Sequence, residues 1–486
     1  MGLENYLYHR PHILTTVPNN FPHQFREFSL GKYRLLVGED GDVTCFHGSE
    51  MEVFLVGNWY DYRNPTYDNE VLVSNAAEGH DFASFIKNTF PYCGTFTVFC
   101  LINKELYIFN DLHGLNSVFY SYSGNDFTVT SDPALFTLFT ELEQTDNEWY
   151  EEAINSERGK KWGICPGTNT GFKGIYRLLP NSYLNVNAGI ENRFYPDEPV
   201  QPYSSGKAVT KIAQMLSGYL KAASNRRKLS LALTAGWDSR ILFAASLELD
   251  DVFYYTLLHP YAAIQDSSTA EELCRITGRN HTILEGKGNN NLKEIEQVLS
   301  KSVYMPMASD MYILLNTYYQ QLENFLDVCG ITGEVLRGSH NRAVHVNEIR
   351  TASDLLGFPE SRYMNEEIHS WLDKNKLFCR NFNIEYLDLL YSDLYYSVVK
   401  AKNYRTFAHF VDTMIPYNSR ELLSITNGVN KKSKYPYNPS LMKEVINTFN
   451  PELLKVPFNP QKSRYLKLLV KSKLYYPAIA FKDITR

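Results

Sequence analysis

Residues 228–242 read KLSLALTAGWDSRIL, and this stretch decides the interpretation of the whole chain. Leu229–Leu233 is a short, mostly apolar run that predicts a buried strand, and the apolar pattern that restarts at Ile241 predicts a helix. Residues 234–236 between them are small. A strand, a small-residue loop and a helix N-terminus together favour an anion site, because backbone N–H groups and the positive end of the helix dipole point into the loop.

The loop matches neither of two common nucleotide-binding motifs. No Gly-Lys-Ser/Thr follows its glycine, as it would in a mononucleotide phosphate loop. The second and third glycines of a dinucleotide fingerprint are also missing. The spacing alone favours a tight strand-to-helix turn of the kind found in any α/β protein.

The same residues resemble a known motif. LTAGWDSR is similar to the SGGxDS pyrophosphate loop of the asparagine-synthetase-type ATP pyrophosphatases, with Thr234 for the serine and Ala235 for the first glycine. Gly236, Asp238 and Ser239 match directly. The resemblance implies that ATP and its pyrophosphate contact a continuous segment: Leu233, Thr234, Ala235, Gly236, Trp237, Asp238 and Ser239.

Length and composition limit the class of protein. With 486 residues the chain predicts two domains. A net charge of −6 and a pI near 6.1 give no basic field for nucleic acid. We find no apolar run of about 18 residues and no secretory pattern at the N-terminus, so we expect no membrane span. Seven cysteines without a CxxC pair favour a cytoplasmic location and no structural zinc.

The first 200 residues read as β-rich. Short strand-like runs follow one another with turn residues between them, which predicts antiparallel pairing. The runs are Phe96–Leu101, Leu106–Asn110, Val118–Tyr122 and Phe127–Thr130.

Three segments in this half resemble class II glutamine amidotransferase domains. Residues 56–61 (VGNWYD) are similar to NGxIYN, and Asp111, Gly114 and Tyr120 fall on the DRxGxxPLYY segment. Residues 172–184 resemble the FxGIxxLPPGxxL stretch that closes that domain. The resemblance implies an Ntn-glutaminase-like domain over residues 1–200.

One departure from that family bears on function. Those glutaminases use an N-terminal cysteine as nucleophile, whereas position 2 here is Gly2 and the first cysteine is Cys45. We therefore expect no glutamine hydrolysis. The Gly57 N–H and Asn58 remain candidates for a vestigial oxyanion pocket, although a structural role for them is favoured.

Residues 194–206 (FYPDEPVQPYSSG) carry three prolines and nothing periodic, so they are the best linker candidate. A helix then begins near residue 207, and residues 207–486 form the expected second domain. Val252–Leu258 predicts its second parallel strand. The family resemblance implies that this strand holds the adenine at Thr256, Leu257 and Leu258. His281 is either a catalytic base or, as we favour, a structural histidine.

A second loop completes the expected site. Residues 329–338 (CGITGEVLRG) overlay SGDGGDELFG without a gap, and Glu334 falls on the aspartate. The overlay implies nucleotide contacts at Gly330, Thr332 and Gly333. Departing pyrophosphate carries several negative charges, which Mg²⁺ with oxygen ligands offsets. We therefore expect Asp238 and Glu334 to hold magnesium, the alternative for Glu334 being a solvated loop acid.

Two further sets of residues are candidates for the site. The family has a late lysine at the α-phosphate and the reacting carbonyl, and we expect Lys434 in that role, with Lys462 in reserve. Four residues are candidates for a substrate pocket suited to an anion: Arg240, Arg337, His340 and Arg342.

The resemblance implies a mixed α/β chain with an antiparallel glutaminase-like half and a parallel-sheet, adenine-nucleotide-α-hydrolase-like synthetase half. It implies a carbon–nitrogen ligase that uses ATP and Mg²⁺ to adenylate a carboxylate, with β-lactam synthetases and lasso-peptide cyclases as nearer relatives than true asparagine synthetases. We expect small-molecule or peptide substrates bearing a carboxylate and an amine, and a homodimer as the candidate assembly. Two alternatives stay open: activation of a base or tRNA carbonyl, and a degenerate nucleotide-binding partner protein.

Overall fold

The structure is a computed structural model. It describes residues 10–79, 81–145, 148, 151, 167–258, 264–285, 292–303, 315, 321–338, 362–434 and 439–459. Three residues predicted for the site lie outside these ranges: His340, Arg342 and Lys462.

The described residues of the first half contain fourteen strands. They are β1 (His12–Thr15), β2 (Phe25–Leu30), β3 (Tyr33–Gly38), β4 (Val43–His47), β5 (Met51–Gly57), β6 (Tyr60–Asp61), β7 (Tyr92–Cys93), β8 (Phe96–Ile102), β9 (Glu105–Asn110), β10 (Phe119–Ser123), β11 (Asp126–Thr130), β12 (Tyr176–Arg177), β13 (Ser182–Asn185) and β14 (Ile190–Arg193). The four strands predicted between residues 96 and 130 are β8 to β11.

These strands form two antiparallel sheets of six strands each, with β6 and β7 paired separately. One sheet has the order β12-β10-β11-β1-β3-β2 and the other β14-β13-β9-β8-β5-β4. Leu14 and Leu35 of the first sheet share a core with Phe54 and Ile108 of the second, so the sheets stack face to face. The expectation of an antiparallel β-rich first half is confirmed.

Two helices cover the outer face of the second sheet. They are α1 (Asn69–Ala77) and α2 (Phe82–Asn88), which begin at the capping residues Asp68 and Asp81. Alternate side chains of β5 and β8 point away from the stacked core, and these pack against the helices. Both faces of the second sheet are therefore buried.

The second half contains a five-stranded sheet whose strands all run parallel. The strands are β15 (Leu229–Ala232), β16 (Phe253–Leu258), β17 (Thr282–Glu285), β18 (Leu326–Val328) and β19 (Asp412–Met414), in the order β17-β16-β15-β18-β19. In chain order this is 3-2-1-4-5, so the order reverses between β15 and β18. Open α/β sheets bind ligands at the carboxyl ends of the strands on either side of such a switch point. The loops after β15 and β18 are the two predicted site loops.

The described part of this half contains nine α-helices. They are α3 (Ser205–Ser224), α4 (Trp237–Ser246), α5 (Ile264–Thr277), α6 (Leu292–Ser302), α7 (Arg362–Asn381), α8 (Tyr386–Leu390), α9 (Ala401–Phe407), α10 (Arg420–Gly428) and α11 (Ser440–Phe449). A ten-residue π-helix, Tyr391–Lys400, joins α8 to α9 in one uninterrupted helical run. None of the helices in the described ranges is long and apolar enough to cross a membrane.

The two halves share one hydrophobic core. Helix α3, capped by Ser204 where the linker was predicted, buries one apolar face against Tyr60, Tyr62 and Leu112 of the first half. Arg420 at the start of α10 is buried and donates to the Asn110 carbonyl at 2.8 Å. The division into residues 1–200 and 207–486 stays a prediction, and this shared core joins its two parts.

Candidate active site at the sheet switch point

The loop after β15 is held by its own side chains. The Thr234 and Ser239 hydroxyls lie 2.8 Å apart, and the Gly236 N–H donates to the Thr234 hydroxyl at 3.2 Å. The Ala235 N–H donates to the Asp266 carboxylate of α5 at 2.8 Å. The loop therefore joins the strand to the helix as predicted, and the Asp266 carboxylate accepts from one of the N–H groups that were predicted to meet phosphate.

Asp238 lies in the first turn of α4, directly after that loop. Arg337 donates to both of its carboxylate oxygens, Nε at 3.0 Å and Nη2 at 2.9 Å, and the Tyr417 hydroxyl donates to its backbone carbonyl at 2.7 Å. A Cβ added at Gly333 would lie 2.7 Å from the Asp238 Cβ. The glycine is therefore required by the close approach of the second loop to α4.

Glu334 follows Gly333 and belongs to the same site. Its Oε1 lies 3.8 Å from the Lys400 Nζ, at the end of the π-helix. Asp238, Glu334, Arg337 and Lys400 form what we call the four-charge cluster, with two carboxylates and two cations. It sits where the sequence predicted the metal–pyrophosphate site.

Three buried polar atoms around the cluster have no hydrogen-bond partner among the described residues. They are Glu334 Oε2, the Thr332 hydroxyl and the Tyr396 hydroxyl. Thr332 also has a φ of +66°, a left-handed conformation that a β-branched residue rarely adopts. Buried polar groups are normally paired, and strained backbone is frequent at functional sites. These three atoms therefore mark a candidate ligand position.

The electrostatics of the cluster are strongly coupled. Burial raises the pKa of the Asp238 carboxyl and the Glu334 charge raises it further, while Arg337 and Lys400 oppose the shift. Burial lowers the pKa of Arg337, but Asp238 and Glu334 outweigh it and the net pKa is raised. Burial likewise lowers the pKa of Lys400, and Glu334 more than reverses this. Both cations therefore stay charged.

The predicted adenine strand lies next to β15. The Thr256 hydroxyl donates to the Leu233 carbonyl at 2.7 Å and lies 2.9 Å from the His281 Nε2. Leu257 and Leu258 end β16 and pair with β17. Through this contact with Thr256 of β16, His281, which directly precedes β17, links two adjacent strands. The contact supports the structural role for His281.

Two residues predicted for the site, Lys434 and Arg240, have partners outside the four-charge cluster. Lys434 is buried, with its Nζ 3.5 Å from Asp388 in α8. Asp388 and Lys400 are twelve positions apart in one helical run, on the order of 15 Å along a helix. Arg240 is fully buried and donates to the carbonyls of Leu453, Val456 and Pro457, so its contacts are those of a packing residue.

The structure adds two residues that sequence reasoning missed, Lys400 and Tyr396. Neither belongs to a recognisable motif, and both lie in the π-helix. Such segments are frequent at functional sites, because a widened turn changes the direction of the side chains that follow it. No sequence pattern specifies this widening.

The cluster has the donors for a magnesium site with few protein ligands. Within the described ranges there is no group of three or more His, Cys, Asp or Glu side chains that suits a metal ion. Mg²⁺ is commonly bound by one or two carboxylates together with substrate phosphates. Asp238 and Glu334 fit that pattern, and the unpartnered Glu334 Oε2 is the oxygen that would meet the ion.

Away from the four-charge cluster, a cavity of about 100 Å³ lies between the halves. Its lining includes Arg10, Gly57, Asn58 and Asp412. Here the Asn58 amide donates to Asp42 at 2.5 Å and accepts from Asn69 at 3.0 Å. These bonds occupy the amide that was considered for a vestigial oxyanion pocket. They support the structural role instead.

Comparison with known proteins gives weak similarities. No family model and no curated protein matches the chain. Among solved structures, the "allosteric regulatory enzyme of purine biosynthesis" is 11% identical, with 62% of this chain and 75% of that one covered and a TM-score of 0.26. The glutamine phosphoribosylpyrophosphate amidotransferase from B. subtilis, complexed with ADP and GMP, is 11% identical over 62% of this chain and 88% of that one, with a TM-score of 0.24.

A third similarity falls on a smaller part of the chain. The NH3-dependent NAD synthetase from Campylobacter jejuni is 14% identical over 39% of this chain and 93% of that one, with a TM-score of 0.22. Identities and TM-scores this low establish neither family membership nor function. The sheet order and the four-charge cluster carry the functional argument.

Proposed function

We propose that this protein is an ATP-dependent carbon–nitrogen ligase. It adenylates a substrate carboxylate, releases pyrophosphate, and passes the acyl group to an amine or ammonia without glutamine hydrolysis. The proposal rests on one observation. The loop that carries Glu334 packs closely against Asp238, at the start of α4, where the order of the parallel strands reverses.

The residues divide the work by their chemistry. The Thr234–Ser239 turn and the N-terminus of α4 bind the phosphates, while Arg337 and Lys400 offset the charge that develops on departing pyrophosphate. Asp238 and Glu334 would hold magnesium, which would supply positive charge to offset the negative charge of the phosphates. The protein's contribution is then positioning and charge stabilisation rather than covalent chemistry.

The absence of glutamine hydrolysis is supported by two features of the first half. Burial raises the pKa of the Cys45 thiol, which leaves it a poor nucleophile. The Asn58 amide is already hydrogen-bonded on both sides. We therefore propose that the nitrogen comes from an amine substrate or free ammonia.

One observation favours a second candidate. The ion pair between Asp238 and Arg337 occupies both oxygens of the expected metal ligand, which is also compatible with a nucleotide-binding partner protein that performs no chemistry. Activation of a base or tRNA carbonyl keeps the same ATP site and changes only the acceptor.

Labelled ATP separates these functions. The protein is incubated with α-³²P-ATP, Mg²⁺ and fractions of small carboxylates, amines or RNA, and AMP and pyrophosphate are measured. We expect AMP with a carboxylate fraction, its loss in Asp238→Asn, and no change in the exposed control Asp250→Asn. AMP only with RNA supports the tRNA-type reaction, and ATP binding without AMP in any mixture supports the partner protein.

A further inference from the structure

The Asp238–Arg337 pair is a complete interaction. The planar guanidinium donates through two nitrogens to both carboxylate oxygens, the fork geometry in which arginine pairs best with a carboxylate. Both side chains keep about a fifth of their surface exposed, 20% for Asp238 and 21% for Arg337. The arginine is therefore paired at both carboxylate oxygens and still partly exposed to solvent.

This pair leaves the two carboxylates of the cluster in different states. Each oxygen of Asp238 accepts a hydrogen bond from Arg337, whereas the buried Oε2 of Glu334 has no hydrogen-bond partner among the described residues. A divalent cation approaching Glu334 would also meet the positive charge of Arg337. Without nucleotide, the Arg337 guanidinium therefore competes with a metal ion for Asp238 and repels it.

The phosphate side of the site shows the same arrangement. The Asp266 carboxylate accepts from the Ala235 N–H in the loop that is proposed to bind phosphate. Each expected ligand thus has a counterpart within the chain, a guanidinium at the metal position and a carboxylate at the phosphate position. A ligand that carries both a metal ion and a phosphate would replace the guanidinium and the carboxylate together.

We propose that Arg337 makes metal binding conditional on the nucleotide. It holds Asp238 while the site is empty. When a magnesium–nucleoside triphosphate enters, the guanidinium passes from the carboxylate to the phosphate oxygens, and Asp238 becomes free to bind the ion. This inference rests on the proposed function, since it assigns the same loops to pyrophosphate and metal.

Arginine is suited to this exchange, because the same fork that matches a carboxylate also matches a phosphate. Lys400 remains beside Glu334 throughout, as a cation on a buried helix. The motif that residues 329–338 resemble has phenylalanine at the position of Arg337. The exchange is therefore a property of this chain's own residue.

Direct metal binding tests the inference independently of catalysis. Mn²⁺ replaces Mg²⁺ at oxygen sites, and its free concentration is read by electron paramagnetic resonance. Without nucleotide, we expect Arg337→Met to bind Mn²⁺ about tenfold more tightly than wild type. Arg362→Met, at an exposed arginine of α7 paired with Glu366, should leave the affinity unchanged.

The same measurement is then repeated with nucleotide present, and the change in Mn²⁺ affinity on adding nucleotide is compared between wild type and variant. In wild type, a non-hydrolysable ATP analogue should tighten Mn²⁺ binding about tenfold, and Arg337→Met should remove most of that gain. Equal Mn²⁺ affinity of Arg337→Met and wild type without nucleotide overturns the inference, even if wild type forms AMP. A wild type that binds Mn²⁺ and nucleotide as expected but never forms AMP refutes the ligase and leaves the coupling supported.

A second variant covers the case in which Arg337→Met does not fold. Arg337→Lys keeps the positive charge and loses the fork, so it should bind Mn²⁺ without nucleotide with an affinity between the other two. Thermal unfolding identifies which variants are folded. A folded Arg337→Lys with wild-type Mn²⁺ affinity both with and without nucleotide also overturns the inference.

Discussion

Gly333 shows how little space the site allows at the scale of one residue. An added Cβ would lie 2.7 Å from the Asp238 Cβ and 2.9 Å from the Tyr417 ring. We expect Gly333→Ala to displace Asp238 and to lower AMP formation about a hundredfold, because a misplacement of about 1 Å costs that much. Gly206→Ala is the matched control, since nothing lies within 4 Å of its added Cβ. Equal activity of the two variants would contradict the expected contact.

Asp327 gives a prediction about pH. It is buried in β18, where it accepts from Ser230 at 2.8 Å and Tyr255 at 3.0 Å, and burial raises the pKa of its carboxyl to about 6. The usual value is about 3.9. Between these values the folded protein binds more protons than the unfolded chain, so the free energy of unfolding falls as pH rises from about 4 to 6.

Asp327→Asn should remove this contribution, which is roughly 3 kcal/mol. Urea unfolding of wild type and variant at pH 4.5 and pH 8 measures it. We expect the variant to gain stability relative to wild type at the higher pH. A difference in the free energy of unfolding that is the same at both pH values would contradict the raised pKa.

At the scale of elements, Arg240 fastens the segment 453–459 to α4. Its guanidinium lies 3.6 Å from the centre of the Phe458 ring, which stacks on Trp237, and the Asn459 N–H donates to the Ala235 carbonyl at 2.9 Å. We expect Arg240→Leu to lower the free energy of unfolding by on the order of 3 kcal/mol, because three carbonyls lose a charged donor.

Hydrogen exchange locates that effect. The Asn459 amide should exchange faster in Arg240→Leu, while the strands of the first half stay protected. Arg275→Leu, at an exposed arginine of α5, is the control. Unchanged exchange at Asn459 would show that the segment is held by other contacts.

The parts of the site that the sequence predicted are those formed by short, continuous stretches. Residues 228–242 predicted a strand, a loop and a helix start, and β15 and α4 are found there. The loop at residues 329–338 was predicted in the same way. Because β15 and β18 are neighbours in the sheet, the two loops lie at adjacent strand ends. Local residue chemistry is enough for such turns.

The parts that escaped prediction depend on packing. Lys400, whose Nζ lies 3.8 Å from Glu334, ends the π-helical segment of the run from Tyr386 to Phe407, and no periodic pattern marks that segment. Lys434 was chosen by its order along the chain, which says nothing of its buried partner Asp388. The Arg337–Asp238 pair joins residues 99 positions apart.

At the scale of the whole molecule, the two halves are expected to unfold together. Arg420 of the second half donates to Asn110 at 2.8 Å and to the Asn181 side chain at 3.2 Å, both in the first half. Arg420→Met leaves these acceptors buried and unpaired, and should cost about 3 kcal/mol or more. Calorimetry should show one transition in wild type and in the variant, at a lower temperature in the variant. Two separate transitions in wild type would contradict a shared core.

The reversed strand order has a consequence for synthesis of the chain. A ribosome completes the phosphate loop after β15 long before it makes Glu334 and Arg337, and β19 and Tyr417 come later still. Parallel strands joined over such distances pair late in folding. A nascent chain therefore carries the loop after β15 before Glu334 and Arg337 exist, and the proposed ATP site is complete only when the last strand of the sheet has been added.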